Sequence, residues 1–121
     1  MNKRELQDRL KNYALSIVFF SEKLPETSGY RVVKNQIIRS SSSSAANYRA
    51  SCRAKSTADF IAKMGIVEEE LDETLFWLEF TIGISDKWQS LIEPLAQEGN
   101  ELLSIIVASI VTTKKNNLKY R

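Results

Sequence analysis

Acidic side chains cluster in the stretch 68–79, where a carboxylate metal site is the chemistry to consider first. They are Glu68, Glu69, Glu70, Asp72, Glu73 and Glu79. Helical bundles that hold two iron ions use glutamates from facing helices together with Glu-x-x-His pairs. Because this 121-residue sequence has no histidine, we interpret the cluster as a solvated acidic face with some salt bridges. We expect no metal and no cofactor.

The sequence offers no arrangement for nucleophilic or acid–base catalysis. The lack of histidine removes the commonest general base and any Ser-His or Cys-His pair. The single cysteine, Cys52, falls on an apolar helix face, which indicates a buried small side chain rather than a reactive thiol. The sequence also has no glycine-rich phosphate loop. We therefore predict a protein that is not an enzyme.

Basic side chains form a second pattern. Between Gly29 and Ala58 the sequence has six bases and no acid. At 100° per residue, four of the arginines fall within an arc of about 80° on one helix, and they are Arg31, Arg39, Arg49 and Arg53. This arginine stripe predicts contacts with a phosphate backbone. The alternative is that Arg49 or Arg53 pairs with Glu69, Glu70 or Glu73, within or between subunits.

A second basic cluster lies near the carboxyl end of the sequence. Its members are Lys114, Lys115, Lys119 and Arg121. We group the three lysines with the arginine stripe as candidate nucleic-acid contacts. The alternative is that they complement the negative end of the dipole of a last helix. The formal net charge of +2 is too small to establish a nucleic-acid partner.

Four amphipathic segments must position these side chains. With only four glycines and two prolines, the composition favours long helices over the many turns of an all-β fold. Apolar residues recur at spacings of three and four, which predicts helices at about 3–24, 29–54, 57–82 and 86–115. Short connections make successive helices antiparallel. We predict one all-α domain over 1–121, an antiparallel up-down-up-down four-helix bundle; the alternative is a three-helix protein with the second and third segments fused.

The second segment contains five consecutive serines, Ser40–Ser44. Serine runs usually mark linkers. Here Val33, Ile37 and Tyr48 continue a helical period across the run, so we interpret it as helix. Its small side chains would allow close approach by a neighbouring helix.

The third segment is apolar on two opposite sides. A stripe from Phe60 to Ile82 predicts its core face, and a second set lies behind that stripe: Ile66, Phe76, Trp77 and Phe80. We call this second set the apolar flank. A helix in one bundle has only one inward face, so we predict that another subunit covers the flank. The alternative is that loops or the tail of the same chain cover Trp77.

Three stretches of the sequence resemble one bacterial family, and they are 37–50, 58–64 and 70–78. The shared features are a small-residue stretch ending in Ala-Asn, an Asp-Phe-Ile segment and a Glu-Thr-x-x-Trp-Leu segment. The family consists of four-helix bundle proteins encoded in intervening sequences of large-subunit ribosomal RNA genes. The likeness covers nearly the whole chain and is strongest in the second and third segments.

The resemblance implies a bundle often assembled as a ring-shaped homopentamer, with no established activity for most members. Related proteins include accessory subunits of diversity-generating retroelements, which are basic pentamers thought to bind nucleic acid and a reverse transcriptase. The implied partners are further copies of the chain, RNA or DNA, and a reverse transcriptase or other nucleoprotein. The chain departs from the retroelement relatives in being less basic. It also departs from many members that have an acid just after the Asn of Ala-Asn, since it has Arg49 nearby instead.

Two hypotheses for function follow from these patterns. In the first, a non-catalytic oligomer binds nucleic acid through the basic face of the second helix. In the second, the oligomer is purely structural or binds only proteins, and the arginines make subunit contacts. A lone cysteine and the lack of a secretory or membrane-spanning segment predict a cytoplasmic protein with no membrane partner.

Overall fold

The protein is a bundle of four α-helices, described by the computed structural model over residues 1–117. The helices are α1 (Lys3–Ser21), α2 (Ser28–Ser51), α3 (Thr57–Ile84) and α4 (Gln89–Lys115), and a 3₁₀ turn precedes α4. Each helix packs against the next, and α1 also packs against α4. The all-α four-helix fold is therefore confirmed. The three-helix alternative is wrong because residues 52–56 separate α2 from α3.

Two helices end earlier than the hydrophobic pattern predicts. α1 stops at Ser21, and the next amides donate to carbonyls three residues back, with Lys23 N–H to Phe20 O at 3.0 Å. Pro25 follows, and a proline has no N–H with which to continue the helix. α2 ends at Ser51 through the same kind of tight turn. α3 instead runs two residues beyond its predicted end, to Ile84.

One apolar stripe from each helix forms the core. Its buried members include Leu10 and Ile17 of α1, Val33 and Ile37 of α2, Met64, Val67, Leu71 and Leu78 of α3, and Ile92, Leu102 and Ile106 of α4. The spacing of Leu91, Leu95 and Gly99 predicts that Leu91 is buried, and this is wrong. Leu91 is 44% exposed and Ile92 is 1% exposed, because Ile92 lies about 20° from Gly99 around the helix and Leu91 about 80°.

The serine run is helical, as its flanking residues predict. Ser40, Ser41 and Ser44 are fully buried, and the Ser40 hydroxyl shares a 2.7 Å hydrogen bond with the Thr74 hydroxyl of α3. The buried hydroxyls also donate to carbonyls of their own helix, for example Ser44 to Ser41 at 2.7 Å. Small side chains with satisfied hydroxyls therefore let α2 and α3 pack closely without a buried polar cost.

Candidate nucleic-acid interface

The arginine stripe of α2 divides among three environments. Arg31 donates from Nε to the backbone carbonyl of Glu26 at 2.9 Å. Arg39 lies toward α3, and Arg49 and Arg53 lie toward α1. Because α3 and α1 flank the stripe on its two sides, Arg39 meets carboxylates of α3, whereas Arg49 and Arg53 lie beside cations of α1. The structure therefore brings Arg49 and Arg53 together and separates both from Arg39.

Arg39 forms an ion-pair link between α2 and α3. Its guanidinium donates to Glu70 at 2.8 Å and also to Glu73, whose carboxylate in addition accepts from the Trp77 indole at 3.1 Å. The hydrogen bond to Glu73, and then that to Glu70, raises the pKa of Arg39. The alternative that α3 acids pair with α2 arginines is thus realised at Arg39, whereas it was expected at Arg49 or Arg53.

A groove of about 400 Å³ lies between α1 and α2. We call it the basic groove, and its lining residues are Arg4, Gln7, Asp8, Lys11, Ala45, Ala46, Arg49 and Arg53. Four of these eight side chains are cationic and one is acidic. Asp8 lies 3.4 Å from Arg4 in an exposed ion pair. Among residues 1–117, no carboxylate forms an ion pair with Lys11, Arg49 or Arg53.

The α1 half of this groove is missing from the sequence prediction. Arg4 and Lys11 are seven residues apart, which places them on the same side of a helix. This spacing predicts that the two cations share one face of α1. The pattern alone did not show that this side of α1 faces Arg49 and Arg53 rather than solvent.

More cations gather where α1 begins and α2 ends. Lys3 and Lys55 line a cavity of about 340 Å³ together with Thr113 of α4. Lys114 and Lys115 follow in the last turn of α4. We call this region the basic end, comprising Lys3, Arg4, Arg53, Lys55, Lys114 and Lys115. Lys119, the remaining candidate contact, and Arg121 lie outside the described residues.

The opposite groove, between α1 and α4, is bridged by an ion cluster. The Arg9 guanidinium makes two hydrogen bonds to Glu98, at 2.8 and 2.7 Å, and a third to Glu101 at 2.7 Å. The hydrogen bond from Arg9 lowers the pKa of Glu98 despite partial burial of the carboxylate. Cavities of about 620 and 550 Å³ lie on either side of Arg9. An ion cluster therefore links these two helices across a seam that is open on both sides of Arg9.

One buried hydroxyl near this ion cluster is unsatisfied. Tyr13 is 2% exposed, and among the described residues its hydroxyl has no hydrogen-bond partner. Burial, and then the charge of Glu98, raises the pKa of Tyr13. The hydroxyl packs against the backbone of Gly99, where a Cβ atom would lie 2.4 Å away. Glycine is thus required here by close approach of a side chain.

Three of the four residues of the apolar flank lie together in the structure, and most of the flank is exposed to solvent. The rings of Phe76, Trp77 and Phe80 form one cluster, with centroids 4.9 Å apart for Phe76–Trp77 and 5.2 Å for Trp77–Phe80. Phe76 is 50% exposed and Phe80 is 42% exposed, whereas Trp77 is half-buried against the core. Ile66 is also exposed but lies about 15 Å farther along α3. Leu15 and Phe19 of α1 are exposed as well.

These features define a class of protein: a small helical bundle with a basic groove and an exposed aromatic cluster. Within residues 1–117, no group of three or more His, Cys, Asp or Glu side chains is arranged to hold a metal ion. None of the helices in that part of the chain is both long and apolar enough to cross a membrane.

Comparison with known proteins agrees with this class and identifies the family. The family model described as 23S rRNA-intervening sequence protein matches residues 3–108. The chain therefore belongs to the 23S rRNA-intervening sequence protein family, as the resemblance of its second and third helices predicts.

A solved structure supports the same assignment. It is a crystal structure of a protein of unknown function from the S23 ribosomal protein family of Bacteroides thetaiotaomicron. The two proteins share 30% sequence identity and a TM-score of 0.82, over 91% of this chain and 98% of the other. No curated protein matches the chain.

Proposed function

We propose that this protein is a non-catalytic homo-oligomer that binds nucleic acid, RNA in particular, through the basic groove and the adjoining basic end of its bundle. The observation that carries the proposal is that the arginines of α2 differ in their ion pairing. Arg39 is occupied by Glu70 and Glu73, whereas Arg49 and Arg53 face α1 cations in the basic groove. A surface patch on which cations outnumber carboxylates is the electrostatic footprint of a phosphate-binding surface.

The description of the family supports RNA, in preference to DNA, as the nucleic acid that is bound. It refers to an intervening sequence of 23S rRNA, and ribosomal RNA is a cytoplasmic molecule in bacteria. We therefore place the protein in the cytoplasm. Among the candidate contacts, we assign the main role to Arg49 and Arg53, with Lys114 and Lys115 as neighbours at the basic end.

Binding is tested by fluorescence anisotropy with labelled RNA and DNA oligonucleotides of one sequence, at 50 and 200 mM salt. We expect tighter binding to RNA, and an affinity for both that falls steeply with salt because phosphate contacts release counterions. Lack of binding to either oligonucleotide at 50 mM salt would contradict the proposal.

The exposed apolar residues support self-association. Phe76 and Phe80 face outward from α3, and Leu15 and Phe19 face outward from α1. Since α1 and α3 lie on a diagonal of the bundle, the two patches point in opposite directions. Contact between unlike patches is head-to-tail and closes into a ring when the rotation between subunits permits. We propose a closed ring, for which the resemblance implies five subunits.

The oligomer is tested by light scattering. We expect a mass several times the 13.8 kDa of one chain, and a lower mass for the double variant Phe76→Ser, Phe80→Ser. Leu91→Ser, which removes a similarly exposed apolar side chain from α4, is the matched control and should keep the wild-type mass. A monomeric wild-type protein at high concentration would overturn this part of the proposal.

The exposed aromatic cluster also favours a second candidate, an oligomer with a purely structural or protein-binding role. In that case, the arginines of the basic groove would contact neighbouring subunits. Arg49→Gln would then change the oligomer mass in light scattering, and wild-type protein would not bind nucleic acid. Under the first proposal, the same variant keeps its mass and loses affinity.

A further inference from the structure

The basic groove between α1 and α2 has an excess of positive charge that its surroundings do not neutralise. Its walls carry Arg4 and Lys11 on one side and Arg49 and Arg53 on the other, against a single carboxylate from Asp8. The groove between α1 and α4 is lined instead by Glu5, Asp8 and Glu98 with one arginine, Arg9. Positive charge is therefore concentrated on one side of α1 and is not spread evenly around the bundle.

We propose that the basic groove is a clamp for consecutive backbone phosphates of a nucleic-acid strand, with α1 supplying half of the contacts. This inference deepens the proposed function and rests on it. Arg49 and Arg53 lie one turn apart, about 6 Å along α2, and Arg4 and Lys11 lie two turns apart, about 10.5 Å along α1. Cations on both walls can thus reach phosphates of one strand from both sides.

The composition of the groove indicates which part of the nucleic acid it holds. None of its eight lining residues is aromatic, and sequence-tolerant base binding normally uses stacking on aromatic rings. Ala45 and Ala46 line it between the cations and leave room for a sugar–phosphate chain to approach α2. The Gln7 amide is neutral and can hydrogen-bond to a phosphate or to a ribose 2′-hydroxyl. The groove therefore recognises the backbone and not the base sequence.

Asp8 sets the strength of the clamp. Its carboxylate contacts Arg4 at 3.4 Å, with both side chains well exposed, so the pair is weak and open to exchange. A bound phosphate would replace Asp8 as the partner of Arg4 but would still be repelled by the remaining carboxylate. Removal of this single charge should consequently strengthen binding.

The first test removes cations. By anisotropy at 100 mM salt, we expect Arg49→Gln, Arg53→Gln to bind a labelled 20-nucleotide RNA about 10-fold or more weakly, and the log–log salt slope to shrink by about 1.4. The matched control is Lys23→Gln, Lys87→Gln, which removes two cations at the opposite end of the bundle and should change affinity less than about 2-fold. Circular dichroism checks that all variants are folded.

The second test uses a substitution that is expected to raise the affinity for RNA, a result that damage to the fold would not produce. We expect Asp8→Asn to bind the same RNA about 2- to 5-fold more tightly, and Glu22→Gln, which removes one acid at the far end of α1, to bind like wild type. Gln7→Ala, measured with RNA and DNA of one sequence, shows whether the 2′-hydroxyl is contacted.

The outcomes separate this inference from the proposed function. If wild-type protein fails to bind at low salt, the proposed function is wrong. If wild-type protein binds but both groove variants match their controls, the clamp and the main role of Arg49 and Arg53 are wrong. Nucleic-acid binding then stands, and it uses another surface, such as Lys114 and Lys115. Weaker binding by the arginine variant and tighter binding by Asp8→Asn together support the clamp.

Discussion

Helix pairs α2–α3 and α1–α4 are both antiparallel, yet they are held together in different ways. Between α2 and α3, buried serines allow a close approach, and Ser40 meets Thr74 at 2.7 Å. Between α1 and α4, Arg9 spans an open seam to Glu98 and Glu101, with cavities on both sides. The first pair depends on small side chains and dense packing, whereas the second combines an ion cluster between cavities with one close contact, that of Tyr13 with Gly99. Substitutions should therefore affect the two sides differently.

The largest effect is expected from Ser40→Leu. Ser40 is fully buried between α2 and α3, so three extra carbon atoms must displace α3, and Thr74 loses its hydroxyl partner. We expect a loss of about 3 kcal/mol or more in the free energy of unfolding. Urea denaturation at matched protein concentration measures it. Ser42→Leu, at an exposed position of the same run, should stay within about 0.5 kcal/mol of wild type.

Gly99→Ala should be the next most destabilising. The new Cβ would lie 2.4 Å from the Tyr13 hydroxyl and 2.9 Å from a Leu75 methyl, and such overpacking costs about 1–3 kcal/mol. Gly65→Ala is the control, since its Cβ meets nothing within 4 Å and should stabilise α3 by about 0.5–1 kcal/mol. If both variants behave alike in denaturation, the close contact at Gly99 is not present.

A smaller loss, of about 1 kcal/mol, is expected for Arg9→Gln, because it breaks a two-bond guanidinium–carboxylate contact that is about one-third exposed. Arg39→Gln should cost less, since Arg39 is half exposed and close packing still holds α2 to α3. Equal losses for the two variants would remove the proposed difference between the helix pairs.

Arg9→Gln should also change how the stability of the protein depends on pH. Arg9 lowers the pKa of Glu98 below its ordinary value of 4.5. The stability from this contact is therefore fully present above about pH 5 and is lost as pH falls through the lowered pKa. Thermal unfolding between pH 3 and 7 should show a shallower acid decline for Arg9→Gln than for wild type.

The smallest effect near neutral pH is expected from Tyr13→Phe. The buried hydroxyl has no partner among the described residues, so its loss should change stability by less than about 0.5 kcal/mol. Burial raises the pKa of Tyr13 above its ordinary value of 10.0, so wild type loses stability as pH rises above about 10. Melting temperatures at pH 8 and 11 should show that Tyr13→Phe loses less. A large loss at pH 7 would instead indicate a hydrogen bond to the hydroxyl.

Helical periodicity predicted most of the fold. The four stripes gave the correct helices because each helix buries one face, and the serine run was helical because its apolar neighbours kept the period. The predicted helix ends and one predicted core residue were wrong where local backbone geometry or helix rotation decided the outcome. Tight turns ended α1 and α2 early, and Ile92 replaced Leu91 because both are apolar and the pattern alone does not fix the rotation of α4.

The candidate site was harder to predict, because periodicity shows which face a residue occupies but not what lies opposite. Arg39 and Arg49 share a stripe, yet one meets the carboxylates of α3 and the other meets the cations of α1. Arg4 and Lys11 were overlooked for the same reason. For Trp77, the pattern showed a second apolar side but not that packing against the core half-buries the indole.

The two tryptophans of the chain report on different parts of the molecule. Trp88 contacts the rings of Phe20 and Tyr30 and donates its N–H to the Tyr30 hydroxyl at 3.1 Å, whereas Trp77 belongs to the exposed aromatic cluster. Neither lines the basic groove. Intrinsic fluorescence of single-tryptophan variants can therefore follow unfolding through Trp88 and subunit association through Trp77, each without a dye that would compete for the cations.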